Sequence, residues 1–574
     1  MTPANSAAHR PSPPRSVAVI GGGLAGITAA IALAEAGAAV TLLEARPRLG
    51  GATCSFNRDG LTVDTGQHIF LGCCTAYRDL LGKLGMTEHA PIQDRFDVRV
   101  LAPAATPRLT PSLGRLRRTA LPGPLHMLPA LGRYPFLSLS ERAKVARPAL
   151  AMRFVDPARP GVDEQRFGDW LAARGQTERS RRALWDLFSV SALNIAGDDA
   201  SLSLAAFVVK TGLLGKNNAA DIGVPALPLG ELHGDAGATH LTKLGAQVLL
   251  NAKVSAIEPT TPVDPTSPTS PIDPTSPTGP NVSLRPAFRV RLARPADPAG
   301  DASASPDEAA AMDLVVDAVV LAVPHEAAAR LIPPGALPEA TVAGWAGLGA
   351  SPIVNVHVIY DRPVMDQPFV AAVDSPVQWV FDRTSISGLD RLPAPAPASP
   401  NGDETGVSAP SSVVKPRFHS ADDVTDATDG ASGASGAGRP QYLAISLSAA
   451  DQYVDVPAAA LREQFLPALA ELFPAAREAQ VIEFFVTRER RATFRQGPGT
   501  ARLRPAAATN LPGLVLAGAW TATGWPDTME SAVRSGLSAA IELRRTVLSA
   551  PGQPRLRQPD PEANETTSTI GERQ

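Results

Sequence analysis

Three glycines and one carboxylate near the start of the chain have the residue types and spacing that bind a dinucleotide. Gly21, Gly23 and Gly26 fill the positions of a G-x-G-x-x-G pattern, and Glu44 follows 18 residues after the last of them. Glycine is required there because the backbone must turn tightly, approach a pyrophosphate closely and let a helix touch a strand. A carboxylate at that distance can accept both hydroxyls of an adenosine ribose. The pattern therefore predicts a dinucleotide cofactor.

The elements around these residues complete a strand, helix and strand unit. Val17 to Ile20 is an apolar run typical of a buried strand, a helix rich in Ala, Ile and Leu follows the glycines, and Val40 to Leu43 forms the second strand. The helix would begin at the glycine turn and point its N-terminal amides at the phosphates. Because a glycine pattern alone is a weak signal, the prediction depends on this complete unit.

A second pair of glycines, Gly50 and Gly51 in the segment RPRLGGATCSF, indicates which dinucleotide is bound. The segment resembles the second glycine motif of the FAD-dependent amine oxidase and phytoene desaturase superfamily. The resemblance implies that the cofactor is FAD and that the backbone here wraps its phosphates. That superfamily usually has an arginine after the pair, where this chain has Ala52. Arg46 and Arg48 are therefore the candidates for that contact.

The stretch from Gly513 to Leu543 supplies a third cofactor element. Leu514 to Leu516 is predicted to be a short strand, Gly518 a turn, and the apolar spacing from Met529 onward a helix whose first turn Thr528 can cap. In the same superfamily this helix N-terminus meets the flavin ring, where it would stabilise negative charge on the reduced ring. The acidic residue that usually follows the glycine is absent here. The cofactor contacts that the resemblance adds are Val254, Gly518, Trp520 and Met529.

Two longer blocks narrow the resemblance. Asp59 to Gly85 reads DGLTVDTGQHIFLGCCTAYRDLLGKLG, and Ala183 to Ser201 reads ALWDLFSVSALNIAGDDAS. Both resemble the hydroxysqualene dehydroxylases of bacterial squalene and hopanoid biosynthesis, and the likeness continues through Leu321 to Pro334 and Trp520 to Gly536. The resemblance implies reductive removal of the hydroxyl of hydroxysqualene to give squalene, using reduced FAD. It also implies an apolar C30 isoprenoid substrate and an electron donor for the flavin, whose identity the sequence leaves open.

Removing an allylic-like hydroxyl needs an acid that protonates the leaving oxygen and a hydride donor that quenches the carbon cation. His68 is the preferred proton donor, with a structural hydrogen bond or a simple FAD contact as the alternatives. The full set of catalytic candidates is His68, Asp64, Gln67 and Asn194, and no metal site is predicted. A C30 hydrocarbon also needs a long apolar tunnel. Ser203 to Leu214 is a candidate for its lining or for ordinary core.

The fold class that follows is α/β, with a discontinuous Rossmann-like FAD-binding domain and an inserted α+β substrate domain. We expect the FAD-binding domain at 16–82, 236–335 and 505–548, and the substrate domain at 83–235 and 336–504. The segments without hydrophobic period are predicted to be low-complexity or disordered: 1–15, 259–287, 294–311, 390–440 and 549–574. The insertion at 259–287 should form the tip of a hairpin. The apolar run from Leu314 to Val323 suits a strand buried on both faces.

Composition excludes several other classes. A formal net charge of −3 and a pI near 6.3 give no basic footprint for nucleic acid. Only three cysteines occur, which excludes a disulfide framework; the adjacent Cys73 and Cys74 are expected to pack beneath the flavin, with a strained disulfide as the alternative. The chain lacks a secretion signal and any uninterrupted apolar run of about 18 residues, so we expect a cytoplasmic protein.

Peripheral contact with the inner face of the membrane stays open. A helical stripe is a candidate for such contact, although its spacing is also typical of core residues: Leu461, Phe465, Leu469 and Leu472.

Three alternative functions remain. A carotenoid- or squalene-type desaturase would use the same tunnel and flavin with the hydride moving in the opposite direction, so only the product discriminates it. An amine oxidase usually places aromatic residues around the amine, and the aromatic content of 5% argues mildly against one. A non-catalytic FAD scaffold or lipid carrier belongs to a different class and would bind lipid without turnover.

Overall fold

The computed structural model describes residues 15–104, 110–123, 125–260, 287–293, 313–392 and 439–548. Most of the predicted insertions and tails lie outside these residues. The bounds predicted for the loop, 259–287, extend into the flanking strands at both ends. Pro259 and Thr260 continue one strand and pair with Phe288 and Ala287 of the next. Pro259 lies in a strand at a sheet edge, where proline is tolerated. The predicted hairpin is confirmed.

The described residues contain strands and helices in alternation. The strands are β1 (Ser16–Ile20), β2 (Ala39–Leu43), β3 (Ser55–Arg58), β4 (Leu61–Asp64), β5 (Phe70–Leu71), β6 (Asp97–Ala102), β7 (Ser112–Arg117), β8 (Ile222–Gly223), β9 (Gln247–Leu249), β10 (Val254–Thr260), β11 (Ala287–Leu292), β12 (Asp313–Val316), β13 (Ala318–Leu321), β14 (Ser351–Tyr360), β15 (Phe369–Ala372), β16 (Trp379–Asp382), β17 (Gln441–Leu447), β18 (Val481–Thr493) and β19 (Leu514–Leu516). The helices are α1 (Leu24–Glu35), α2 (Thr75–Leu84), α3 (Leu128–Gly132), α4 (Leu139–Met152), α5 (Phe167–Ala172), α6 (Glu178–Ser180), α7 (Asp186–Leu193), α8 (Leu202–Val208), α9 (Ala236–Lys243), α10 (His325–Leu331), α11 (Glu339–Gly344), α12 (Thr384–Ser387), α13 (Ala458–Leu472) and α14 (Met529–Leu543).

A five-stranded parallel sheet forms the first layer, in the order β19-β13-β1-β2-β9. Its strands come from three separate stretches of the chain, which fall within 16–82, 236–335 and 505–548. All four residues of β13 are buried, as expected of a central parallel strand covered on both faces. Together with the antiparallel sheet β10-β11-β12, this layer has the mixed α/β character predicted from the sequence.

The apolar run predicted as one strand from Leu314 to Val323 is two strands in two different sheets. Asp317 separates them, and its carboxylate accepts hydrogen bonds from the backbone N–H (2.8 Å) and hydroxyl (2.9 Å) of Ser16. The guanidinium of Arg15 lies 3.6 Å from the same carboxylate. These contacts with the start of β1 end the antiparallel strand β12 and place β13 beside β1.

Helix α14 returns the C-terminal part of the chain to the N-terminal unit. Thr528 caps it by accepting from the backbone N–H of Ser531, which confirms the predicted cap. A Cβ on Gly536 would lie 2.3 Å from the carbonyl oxygen of Ala25, so α14 crosses α1 at a distance that only glycine permits. This crossing positions the start of α14 near the glycine turn after β1.

The second layer is a seven-stranded sheet in the order β18-β14-β17-β16-β15-β6-β7. Helix α13 packs on it, and the side chains of its apolar stripe are fully buried: Leu461, Phe465, Leu469 and Leu472. The stripe is therefore core, and the alternative that it contacts a membrane is wrong. None of the helices in the described part of the chain combines the length and apolarity needed to cross a bilayer.

Candidate active site

The glycine turn after β1 has no room for side chains. Gly21 has φ +107°, its N–H donates to the carbonyl of Leu43 (2.8 Å), and a Cβ there would lie 2.3 Å from the carbonyl oxygen of Ala322. A Cβ on Gly26 would lie 1.8 Å from the carbonyl oxygen of Gly21. The turn and the first turn of α1 therefore pack as the sequence pattern requires.

The second glycine pair lies directly against the first turn. Gly50 (φ +105°) forms a β-bridge with Gly23, and a Cβ on Gly51 would lie 2.9 Å from the Cα of Gly23. No side chain caps α1, and its first turn holds no acidic residue, so the amides there are available to an anion. This bare double turn fits the pyrophosphate of FAD, with Gly21, Gly23, Gly26, Gly50 and Gly51 forming the surface.

Glu44 lies at the end of β2 beside this turn. Its carboxylate is buried and accepts from the backbone N–H of Gly22 (2.6 Å) and of Arg46 (2.9 Å). The guanidinium of Arg46 is exposed and lies 3.5 Å from the carbonyl oxygen of Gly51. Arg46 is thus placed at the glycine pair, where the sequence lacks the usual arginine. Val254 begins β10 and is buried with Leu43 in the same apolar cluster.

The turn after β19 approaches the start of α14. Gly518 has φ +139°, and its N–H donates to the Ser535 hydroxyl (2.8 Å). The indole of Trp520 is buried, donates to the carbonyl of Val323 (2.9 Å) and packs on Trp345 at 4.8 Å between ring centroids. Because that ring lies in the core, we propose that Trp520 supports the turn and contacts cofactor only through its backbone.

Arg504 was not identified from the sequence and holds the same turn from beneath. Its guanidinium donates to the carbonyls of Ala519 (3.0 Å) and Trp520 (3.3 Å), and burial lowers the pKa of Arg504 to about 10. The family's usual acidic residue is replaced here by Ala519. A buried cation therefore supports the backbone of this turn.

Asp64 ends β4 with every polar atom of its side chain bonded. It accepts from the Ser55 hydroxyl (2.6 Å) and the backbone N–H of Leu229 (3.0 Å), and it pairs with the buried guanidinium of Arg383. A carboxylate held this way is a poor proton donor. We therefore propose a structural role for Asp64.

Asn194 is also fully bonded. It ends α7 in the left-handed region (φ 48°), which asparagine tolerates. Its amide donates to the carbonyl of Ser351 (3.0 Å) and to Thr493 (3.1 Å) and accepts from the backbone N–H of Ala449 (2.7 Å). These contacts join α7 to the seven-stranded sheet, so we propose a structural role for Asn194 as well.

Gln67 and His68 are the candidates whose polar atoms remain available. The buried Oε1 of Gln67 has no hydrogen-bond partner among the described residues, and neither has the buried Oδ1 of Asn355, which reaches the same segment by donating to the carbonyl of Thr65 (3.3 Å). His68 is partly buried. Burial lowers its pKa, the carboxylate of Asp64 opposes that change, and Arg383 adds to it. Orphaned acceptors in this segment fit a site that binds a polar ring.

A large apolar cavity begins where this segment continues. Its empty space is about 1160 Å³, a figure that includes the part open to solvent. Its wall includes Ile69, Phe70, Leu71, Phe96, Leu187, Phe188, Phe207, Leu213, Trp379, Trp525 and Met529. The tunnel lining predicted at 203–214 is found from Phe207 onward, whereas Leu204 to Ala206 are core.

Among the described residues that line the cavity, Glu530 alone is charged. Its carboxylate accepts from the backbone N–H of Ala76 (3.1 Å) and Tyr77 (2.7 Å) and from the guanidinium of Arg534 (2.7 Å). These bonds join the starts of α2 and α14. The carboxylate is therefore fully engaged, and the cavity has the character of a hydrocarbon site.

Cys73 and Cys74 lie in the cavity wall as free thiols. The hydrogen bond from Cys74 lowers the pKa of Cys73, and the same contact, with burial, raises the pKa of Cys74. Cys73 and Cys74 do not form the strained disulfide that was the alternative prediction.

Asp527 is a titratable group beside the cavity that the sequence did not single out. Trp525, Pro526 and Thr528 around it line the cavity. Burial raises the pKa of Asp527 to about 6, although the N–H of Phe494 (2.8 Å) and the charge of Arg504 oppose this. A carboxyl that titrates near neutrality suits general acid chemistry.

Two buried histidines predict how stability depends on pH. His233 and His357 are fully buried, bond Tyr77 and Tyr442 (2.8 Å each), and burial lowers the pKa of each to about 3. Because an unfolded imidazole binds a proton near pH 6.5, their stabilisation is complete above that pH and declines towards pH 3, by up to about 1.4 kcal/mol per pH unit for each. We expect His357→Gln to flatten the fall in the free energy of urea unfolding between pH 6.5 and 4.5. The exposed His89→Gln should keep the wild-type slope, and equal slopes in both variants would contradict the assignment.

Comparison with known proteins also indicates a flavin-dependent oxidoreductase. A sequence model of the family described as flavin containing amine oxidoreductase matches residues 24–275 and 290–543. The hydroxysqualene dehydroxylase of Sinorhizobium fredii is 25% identical over 534 residues, covering 92% of this chain and 98% of that protein. The protein of the same name from Rhodopseudomonas palustris is 26% identical over 532 residues, covering 92% and 97%.

More distant likenesses are to other enzymes of this fold. The 15-cis-phytoene desaturase of Solanum lycopersicum is 23% identical over 553 residues, covering 92% of this chain and 78% of that protein. Among solved structures, putrescine oxidase bound to putrescine has a TM-score of 0.59 at 18% identity, covering 92% of this chain and 98% of that one. The structural likeness shows the shared fold.

Proposed function

Because the chain belongs to the flavin containing amine oxidoreductase family and is an FAD-dependent oxidoreductase, we propose that it removes the hydroxyl of hydroxysqualene to give squalene. The observation that carries the proposal is the apolar cavity of about 1160 Å³ that runs from the start of α14 to the segment after His68. Hydroxysqualene has one polar group to place and a long apolar body to bury, and the lining of this cavity is apolar. Two relatives that align along almost their whole length carry this name.

The chemistry requires one bond to break and one to form at the same carbon. The C–O bond of the substrate breaks, the leaving hydroxyl takes a proton and departs as water, and a hydride completes the new C–H bond. Reduced FAD supplies that hydride when it is bound. A separate electron donor must reduce the flavin.

The residues of this chain bind and orient the substrate and protonate its leaving hydroxyl. Phe188, Trp379 and Trp525 would exclude water from the apolar body of the substrate. The N-terminus of α14 would favour negative charge on a cofactor bound beside it. His68 is the proposed proton donor, and Asp527 is the other candidate because its pKa lies at about 6. Gln67 is proposed to bind the cofactor or the hydroxyl through its unpaired oxygen.

A substitution tests the proton donor. His68→Gln should lower kcat about 100-fold or more while FAD absorbance and KM stay near wild type, because general acid catalysis typically contributes that much. Burial lowers the pKa of His68, so the wild-type kcat should also rise as the pH falls below 7, and His68→Gln should lose that rise. His89→Gln is the matched control, since His89 is exposed. Full activity in His68→Gln, with loss in Asp527→Asn, would transfer the role to Asp527.

A desaturase is the second candidate, favoured by the likeness to phytoene desaturase. It would oxidise a hydrocarbon in the same cavity. Incubating the oxidised holoprotein with squalene or phytoene, and the reduced holoprotein with hydroxysqualene, separates the two by mass spectrometry of the lipid products. New double bonds with the oxidised protein would favour the desaturase. An amine oxidase is less well supported, because Glu530 in the cavity wall is already bonded and cannot pair with an ammonium group.

The proposed substrate partitions into membranes, which bears on location. We propose a cytoplasmic protein that contacts the inner face of the membrane peripherally to take up its substrate.

A further inference from the structure

Exposed apolar side chains are concentrated in one stretch of the substrate-binding layer. The described part of the chain has ten large hydrophobic side chains that are exposed, and seven fall between Leu113 and Phe154: Leu113, Leu121, Leu125, Leu128, Leu139, Leu150 and Phe154. Phe154 is 83% exposed and Leu139 is 79% exposed. Such a concentration is unusual, because exposed apolar residues on a soluble surface normally occur singly. We call the described residues 110–123 and 125–155 the docking segment.

Helix α4 carries an apolar seam on its outward face. Leu139, Ala143, Ala146 and Leu150 are spaced four, three and four residues apart, which places them on one side of a helix. Leu139 and Leu150 are large, and all four residues are exposed. The opposite side of α4 is buried through Val145 and Met152. Helix α4 therefore has two apolar faces: one is packed on the core, and the other is exposed on the outside.

Positive charge accompanies the apolar residues. The docking segment contains eight arginines and lysines against one acidic residue, Glu141, although the whole chain has a net charge of −3. Glu141 is buried as part of the cap of α4. Arg115 and Arg117 pair with Asp97, and Arg118 pairs with the buried Asp221. Four others are exposed and form no ion pair with a described residue: Arg133, Lys144, Arg147 and Arg153.

The docking segment is joined to the cavity wall at its C-terminal end and through β7. Lys210 donates to the carbonyl of Val155 (2.9 Å), and the residues that follow it, Thr211 to Leu213, line the cavity. Within the segment, the N–H of Gly123 donates to the Asn217 side chain (2.6 Å). Leu116, in the middle of β7, itself lines the cavity. The docking segment therefore lies next to the apolar cavity.

We propose that the docking segment binds the surface of a membrane containing anionic lipids, with Leu139, Leu150 and Phe154 entering the acyl boundary and Lys144, Arg147 and Arg153 meeting the headgroups. Apolar residues interleaved with unpaired cations have the composition that an anionic bilayer surface recognises. A second copy of this chain fits less well, because the same cations would face each other across such an interface. The inference deepens the peripheral contact proposed above by naming its surface and its lipid.

Vesicle flotation of the full-length FAD-bound protein, without substrate, tests the surface. We expect binding to vesicles of phosphatidylcholine mixed with phosphatidylglycerol, and much weaker binding to phosphatidylcholine alone or at high salt. The apolar variant Leu139→Ser/Leu150→Ser/Phe154→Ser should lower the bound fraction about tenfold or more. The charge variant Lys144→Glu/Arg147→Glu should lose the preference for anionic vesicles.

Matched controls use exposed residues from other parts of the chain. Leu250→Ser/Val315→Ser/Ile541→Ser and Arg330→Glu/Arg391→Glu should bind vesicles as the wild type does. FAD content and circular dichroism establish that each variant is folded. Wild-type binding by the docking-segment variants, an equal loss in the controls, or wild-type protein that dimerises through this segment and ignores vesicles would overturn the proposal. Turnover of detergent-dispersed substrate is measured separately, so failure of the proposed function is distinguishable from failure of the docking surface.

Discussion

A chain carrying Gly26→Ala should be purified without FAD. The added Cβ would lie 1.8 Å from the carbonyl oxygen of Gly21, a distance that no rotamer relieves because both atoms belong to the backbone or are fixed to it. The glycine turn and the start of α1 would have to separate, which removes the surface that receives the pyrophosphate. We expect the flavin content, measured by absorbance of the purified protein, to fall at least about 100-fold.

The control for this substitution is Gly132→Ala. Gly132 ends α3, and a Cβ there would meet no atom within 4 Å. That variant should retain one FAD per chain and wild-type thermal stability. A Gly26→Ala protein that is yellow and stable would contradict the packing of the turn described here.

The second large effect concerns the ion pair beneath the active-site segment. Arg383→Met should lower the free energy of unfolding by about 3–5 kcal/mol, because it leaves the carboxylate of Asp64 buried without its cation. The neutral double variant Asp64→Asn/Arg383→Met should recover part of that loss, since no uncompensated charge stays buried. Urea unfolding of the wild type, Asp64→Asn, Arg383→Met and the double variant measures the loss of stability and its partial recovery.

Arg182→Met provides the comparison at the surface. Arg182 pairs with Glu178, and both side chains are more than half exposed, so this pair should contribute no more than about 1 kcal/mol. If Arg383→Met were no more destabilising than Arg182→Met, the pair at Asp64 would not have the structural role proposed for it.

The N-terminal unit and the hairpin at 259–287 were predictable because their signals are local. Glycines at fixed spacing, β-branched strands and the cap at Thr528 each depend on a few neighbouring residues. The cofactor cradle follows from the same local pattern, and the structure places the predicted glycines together. The resemblance to known flavoenzymes supplied the identity of the dinucleotide, which the spacing alone does not give.

The catalytic environment was less predictable because its contacts join distant parts of the chain. Asp64 meets Arg383, which is 319 residues away, and Asn194 meets Ser351, which is 157 residues away. Nothing in the local sequence indicates that these polar side chains are already bonded. Glu530 follows the predicted Met529 directly, yet its bonds to the start of α2 depend on the crossing of two helices.

Two further predictions from the sequence differ from the structure, again because contacts between distant parts of the chain decide the outcome. Asp317 divides an apolar run that predicts one strand, because its carboxylate binds the start of β1. The exposed stripe of this protein lies on α4, whereas the more regular stripe on α13 is core, since periodicity marks an apolar face without indicating what covers it.

The most direct test of the proposed function is a single turnover under anaerobic conditions. The purified holoprotein is reduced, mixed with one equivalent of hydroxysqualene, and followed by flavin absorbance while the lipid is identified by mass spectrometry. We predict that squalene appears in an amount equal to the flavin that is reoxidised. Flavin that stays reduced while hydroxysqualene is recovered intact would contradict the proposal.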